Sequence, residues 1–209
     1  MPCRPRARSL TLFAAGLAIA ALHSPAPAHA EGTFFLVELS TGIGAPAYTP
    51  GEPVLSYGGS AGITWRWRAL PFRFSLLTTF TARDSSGHGL YAGVPWEAGR
   101  RDLDLFLAQR VALPIWGPFR IYGELGFGER WTTQTLDRGE VLGRLSARSH
   151  DPILVVAGGL EARISTLLSL GLRAETTPLD SGPDLIGAAS SAESSESRVA
   201  FLAQLGVHF

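Results

Sequence analysis

The chain has 209 residues, carries 18 arginines and no lysine against 18 Asp and Glu, and has a single cysteine, Cys3. A leader over residues 1–30 would remove three of the arginines and that cysteine, leaving 15 Arg against the 18 acids; this excludes disulfide and thiol chemistry and argues against a nucleic-acid binder, which needs a basic surplus. Residues 31–209 fit one domain, and 24 glycines with 10% aromatics, without a long apolar run after the leader, exclude membrane helices and suit short strands.

The front of the chain reads as a secretory signal. Arg4, Arg6 and Arg8 form a basic start, residues 10–22 an apolar run too short to span a bilayer, and Ala28-His29-Ala30 a small-x-small cleavage site, so the mature protein is expected to begin at Glu31.

Seven segments with a period of two follow, each setting an apolar face against a polar one. They are residues 35–43, 59–67, 72–82, 102–113, 119–127, 154–164 and 168–176. An eighth closes the sequence at 199–209, where Val199, Phe201, Ala203, Leu205, Val207 and Phe209 share one face. Short connections (68–71, 114–118, 165–167) alternate with long ones (44–58, 83–101, 128–153, 177–197), and the last long one is rich in Ser and Ala. The short turns predict that Trp67 lies opposite Phe72, Leu113 opposite Phe119 and Ile164 opposite Leu168, all on the apolar face. An even strand count with short turns on one side and long loops on the other is the plan of an eight-stranded antiparallel up-and-down transmembrane β-barrel, an all-β fold.

Cost decides which face meets lipid. The polar face carries Glu38, Arg66, Arg73, Asp102, Asp104, Arg110, Arg120, Glu124, Glu161, Arg163, Arg173, Glu175 and Arg198. A cationic side chain in mid-bilayer costs about 2–4 kcal/mol, so these thirteen are expected to line the lumen as a charge network and the apolar face is expected to look outward. Thr177 is expected at the loop-side mouth, within reach of water. Aromatics fall toward strand ends, as interface anchoring requires: Phe35, Trp65, Trp67, Phe72, Trp116, Phe119 and Phe209 on the short-turn side, and Tyr57, Phe80, Phe127 and Trp131 on the loop side. An eight-stranded interior is just wide enough to be filled by side chains, so paired ions and not an open pore are expected inside.

The terminal strand resembles the last strand of bacterial outer-membrane β-barrels, which typically ends on Phe. By pattern, residues 31–209 resemble the small eight-stranded members, of the kind of the OmpA transmembrane domain, OmpX and OmpW. The resemblance implies that Phe201, Leu205, Val207 and Phe209 act as an assembly signal read by the barrel-assembly machinery. It also implies a monomer exported to the outer membrane of a Gram-negative cell, with outer-membrane lipid as its surroundings and a structural or surface-interaction role. A narrow channel for small or apolar solutes is the alternative, followed by a lipid-modifying enzyme.

Evidence for catalysis is thin. His88 with Asp84, Ser85 and Ser86, and His150 with Ser149 and Asp151, hold the residue types of a hydrolase, yet both sets lie in polar stretches where these residues form turns, and triads are assembled from distant segments. No spacing suggests a metal site or cofactor, and Gly123, Gly126 and Gly128 lie in a strand and so imply no nucleotide loop. We therefore expect no enzyme activity, and His208 is expected to face the lumen or an interface.

Overall fold

The computed structural model describes residues 33–44, 52–66, 71–91, 94–139, 143–178 and 198–209, with only the backbone for Tyr91 and Arg198. The expected leader at 1–30, Trp67, Arg68 and nearly all of the Ser/Ala-rich connection lie outside these residues. Eight strands follow one another: β1 (Thr33–Gly44), β2 (Val54–Arg66), β3 (Arg73–Tyr91), β4 (Val94–Trp116), β5 (Phe119–Asp137), β6 (Arg144–Arg163), β7 (Leu168–Thr177) and β8 (Arg198–His208). Each pairs antiparallel with the next, and β8 pairs with β1, so the sheet is a closed barrel.

The register fixes the tilt of the strands. From Thr33 the paired positions run through Trp65, Phe74, Val111, Gly123, Gly158, Ala174 and Phe201 and return to β1 at Ile43, ten residues beyond the start. Spread over eight strands, that stagger tilts them by about 40° from the barrel axis.

Alternation sorts the two faces cleanly. Phe35, Leu39, Ile43, Leu125, Phe127, Leu172 and Phe201 point outward and are exposed, whereas Glu38, Asp104, Arg110 and Glu124 point inward and are buried. A water-soluble barrel would show the opposite polarity. On β1 the outward apolar residues run from Phe35 to Ile43, about 26 Å of strand, the scale of the apolar band of a membrane barrel.

Turn chemistry departs from the sequence reading at one place. The strands β4 and β5 run on to Trp116 and Phe119, so Leu113 faces Ile121 and not Phe119. Only Gly117 and Pro118 remain as a turn, and Gly117 has φ of 54°, which the first central position of a II′ hairpin needs and a glycine supplies without strain. One extra residue, Ile115, is absorbed by a register shift between Pro114 and Trp116, where a proline without an N–H can be accommodated. Leu113, Phe119 and Ile121 nevertheless share the outward face, because a shift of two preserves the parity of a strand. At the third turn Ile164 N donates to the carbonyl of Leu168, as the alternation predicts.

A larger difference lies at the loop end. The stretches 83–101 and 128–153, expected as loops, are mostly strand: β3 pairs with β4 as far as Tyr91 and Val94, and β5 with β6 as far as Asp137 and Arg144. Their neighbours stop earlier, β2 at the pair of Leu55 with Asp84 and β7 at the pair of Thr176 with Val156. A four-stranded sheet of β3 to β6 therefore projects beyond the ring. From Asp84 to Tyr91 its outer part adds about 20 Å of strand.

Candidate functional site

The inward positions of five strands converge on one structure, a ladder of alternating charges along the lumen. Arg110 of β4 donates from Nη1 and Nη2 to the two carboxylate oxygens of Glu38 on β1, both at 2.7 Å, and from Nε to Glu124 on β5 at 2.9 Å. Arg173 of β7 pairs with the other Glu124 oxygen at 2.9 Å, and its Nε donates to Glu175 at 3.0 Å. Glu175 in turn accepts from Arg83 of β3 at 2.7 Å; Arg83 donates to Asp104 at 2.7 Å; and Asp104 accepts from Arg130 of β5 at 2.7 Å. Four carboxylates and four guanidiniums are thus joined without a break. Arg110 and Asp104 stand six residues apart on β4, so the ladder covers on the order of 20 Å of strand. Next to its upper end Asp102 accepts from Arg100 Nε at 2.9 Å and from Thr132 at 2.8 Å.

This arrangement follows from what burial demands of charge. An ion removed from water is tolerated only where opposite charge and hydrogen bonds replace its hydration, and the planar fork of arginine satisfies a carboxylate with two parallel bonds. The Arg110 guanidinium also lies 4.4 Å from the centroid of the Tyr122 ring, and the Tyr122 hydroxyl donates to Gln204 Oε1. Room for that ring comes from Gly159, where a Cβ would sit 2.6 Å from the Tyr122 hydroxyl.

An apolar cluster shares the interior with the ladder. Leu36, Leu77, Phe106, Ala108, Ile153 and Val155 are buried against one another, with Phe106 seated over Gly126, where a Cβ would lie 2.6 Å from the ring. The interior is filled by both chemistries, and the ladder can brace the barrel without leaving a wide aqueous path.

Of the expected lumen residues, the structure buries Glu38, Asp102, Asp104, Arg110, Glu124, Glu161, Arg173 and Glu175. Arg66, Arg73, Arg120 and Arg163 also occupy inward positions but sit at the turn-side mouth, partly or fully exposed. For Arg198 the backbone alone is described, at the start of β8. The sequence reading missed Arg83, Arg100 and Arg130, all buried. A signal was present in β5, where Arg130, Thr132, Gln134 and Leu136 continue the inward alternation.

The last strand lies at the seam. Phe201 and Leu205 project outward, and Phe209 exchanges backbone hydrogen bonds with Phe35, at 2.9 and 3.1 Å, with the two rings 6.5 Å apart. His208 is buried and lies 2.9 Å from Ser169 Oγ. The hydroxyl and carboxylate groups near His88 are engaged elsewhere. Asp84 accepts from Arg101, Ser86 donates to Glu52, and Ser85 to the Arg100 carbonyl. His150 stacks on Trp131 with centroids 5.2 Å apart and meets Glu129 at 3.0 Å, while its sequence neighbours Ser149 and Asp151 fall on the opposite face of β6.

No protein-family model matches the chain. No curated protein matches it either. Solved structures similar to it include the attachment invasion locus protein of Yersinia pestis, Ail, in complex with the heparin analogue sucrose octasulfate, with a TM-score of 0.48 at 12% identity over 86% of this chain and 99% of that one. Neisserial surface protein A gives 0.46 at 13% identity over 85% and 97%, and the N-terminal β-barrel domain of Pseudomonas aeruginosa OprF gives 0.40 at 13% over 83% and 97%. All three are small eight-stranded outer-membrane β-barrels.

Proposed function

We propose that this protein is a monomeric integral barrel of a bacterial outer membrane, exported by a cleaved leader, whose role is surface interaction. Membrane insertion is supported by the inverted polarity of the wall: Leu125, Leu172 and Phe201 point outward, and the carboxylates and guanidiniums of the ladder are enclosed. The observation that carries the interaction role is the β3–β6 sheet, which continues past the apolar belt and offers extended backbone to a partner. Along β6, residues 144–155 pair with β5 on one side and with no described strand on the other. A free edge of this kind is a template for strand addition.

Leu90, exposed near the tip of the projecting sheet, gives the first test. In the mature chain Leu90→Cys would be the sole cysteine, and a membrane-impermeant maleimide should label it on intact cells but leave a cysteine at Ser165, on the turn side, unlabelled. Equal labelling of both, or of neither, would refute the placement. The role itself is tested by comparing adherence of cells carrying the full protein with that of cells carrying a shortened sheet. Planar-bilayer recording separates this reading from a narrow channel, because a conducting barrel would have to open a ladder whose bonds run through the interior.

A further inference from the structure

Four arginines gather where the barrel ends on the turn side. Arg66 closes β2, Arg73 opens β3, Arg120 is the second residue of β5, and Arg163 closes β6. Arg66 and Arg73 are direct cross-strand partners on the inward face, and like charges placed opposite one another are destabilising. Arg120 and Arg163 both stand close enough to add to the repulsion on Arg73. The ladder deeper in the lumen balances four arginines with four acids, whereas among the described residues Glu161 is the single carboxylate within this cluster. It lies 3.5 Å from Arg120 and 3.4 Å from His208.

Local contacts hold these side chains without neutralising them. Arg163 donates to the carbonyls of Ser165 and Thr166, and the guanidiniums of Arg73 and Arg163 lie 5.4 and 5.9 Å from the centroid of the Phe34 ring. A buried nitrogen, Nη1 of Arg73, has no hydrogen-bond partner. Arg66 has no acid partner among the described residues.

We infer that this mouth is a binding site for a phosphate-bearing anion, held chiefly by Arg66 and Arg73 with Arg120 at its side. Guanidinium forks match the oxygens of phosphate in pairs, and a dianion seated at the mouth would remove the repulsion across the Arg66–Arg73 pair. A free phosphate entering from the aqueous side and the headgroup of an anionic phospholipid at the rim present the same group.

The test uses the folded protein in neutral detergent, titrated calorimetrically with inorganic phosphate at constant ionic strength. A second arm places it in phosphatidylcholine nanodiscs with and without phosphatidylglycerol, followed by native mass spectrometry. Arg66→Gln with Arg73→Gln should weaken phosphate, or retained phosphatidylglycerol, by at least about tenfold, and Arg101→Gln on the outer wall should leave both unchanged. Retained lipid that phosphate does not displace identifies a headgroup site; phosphate binding indifferent to the lipid identifies a free anion. Heat-dependent gel mobility checks that the double variant is folded. Arg66→Glu, which supplies Arg73 with an internal partner, is the second variant and should also lose binding. Absence of both ligands from the wild type, or a double variant that binds as the wild type does, would overturn the inference.

Discussion

Arg110 and Glu38 are joined by two parallel hydrogen bonds of 2.7 Å although their strands, β4 and β1, are not neighbours in the ring. The bond therefore crosses the lumen and braces opposite walls, and each partner would be left as a buried charge if the other were removed. Arg110 also holds Glu124, so the two residues are not equivalent. Arg110→Leu leaves Glu38 without its cation and Glu124 with Arg173 alone, and should destabilise by about 3–5 kcal/mol, whereas Glu38→Gln retains a hydrogen-bonding side chain and should cost about 1–3 kcal/mol. Reversible urea unfolding in lipid vesicles gives both values; equal costs would mean that Glu124 does not depend on Arg110.

The outward face can be tested with one arginine placed at two depths. Leu172 is 65% exposed and lies in the middle of β7, so Leu172→Arg should destabilise by about 2–4 kcal/mol in a bilayer. Thr177, which alternation places at a watery mouth, is fully enclosed and cannot serve as the tolerant control. Thr133 of β5 can: it is outward, exposed and lies six residues beyond Phe127 on the projecting sheet, and Thr133→Arg should cost roughly 0–1 kcal/mol. Were the two to cost the same in vesicles, the apolar face would not be facing hydrocarbon.

Sequence alternation located all eight strands because the bilayer imposes it: outward residues must be apolar and charged ones must point inward, as in Leu125 against Glu124. Above the belt that constraint lapses. The outer face of the projecting sheet meets water instead of lipid, and stretches such as Asp84-Ser85-Ser86-Gly87 or Thr132-Thr133-Gln134 are polar on either face and read as loops. Arg83, Arg100 and Arg130 were lost with them, and with them the upper half of the ladder. The pairing of specific ions was not legible either, since Arg110 meets Glu38 across 72 residues of chain through the stagger of the barrel and not through any local spacing. Parity alone places Leu36, Leu77 and Phe106 inside; that they meet Ile153 and Val155 as one apolar cluster depends on the same stagger.

Closure of the seam gives the third prediction. Phe209 contributes an N–H and a carbonyl to two hydrogen bonds with Phe35, beside the contact of their rings. Deleting it removes both bonds at the point where the last strand must find the first, and the proposed recognition aromatic as well. The truncated chain should accumulate in the periplasm or be degraded, with little heat-modifiable barrel in outer-membrane fractions. Wild-type yields there would show that neither the seam bonds nor the terminal ring governs assembly.

The apolar cluster should behave as a packed core even though it lies inside a membrane protein. Phe106 is 2% exposed and sits over Gly126, so Phe106→Ala empties a site whose walls are fixed by the sheet and cannot easily collapse. A loss of about 3–5 kcal/mol is expected by vesicle unfolding. Gly126→Val, which drives methyl groups toward the same ring, should cost about 1–3 kcal/mol through overpacking. A neutral Phe106→Ala would mean that the interior is loosely filled at this level.

The projecting sheet should be separable from the barrel that carries it. Ser86 and Gly99 are paired across β3 and β4, so residues 87–98 can be replaced by Asn-Gly, a two-residue hairpin turn suited to that register. The excision takes Trp96 together with Gly89, on which its indole packs, and leaves every rung of the ladder from Glu38 to Arg130 in place. Its main cost is the exposure of Leu136, which loses its partner Ala98 and should contribute about 1–3 kcal/mol. The trimmed protein should therefore still migrate differently before and after boiling, while adherence conferred by the full protein falls. If it no longer folds, the sheet belongs to the folding core of the barrel, and its upward extension must be explained by assembly and not by an outside partner.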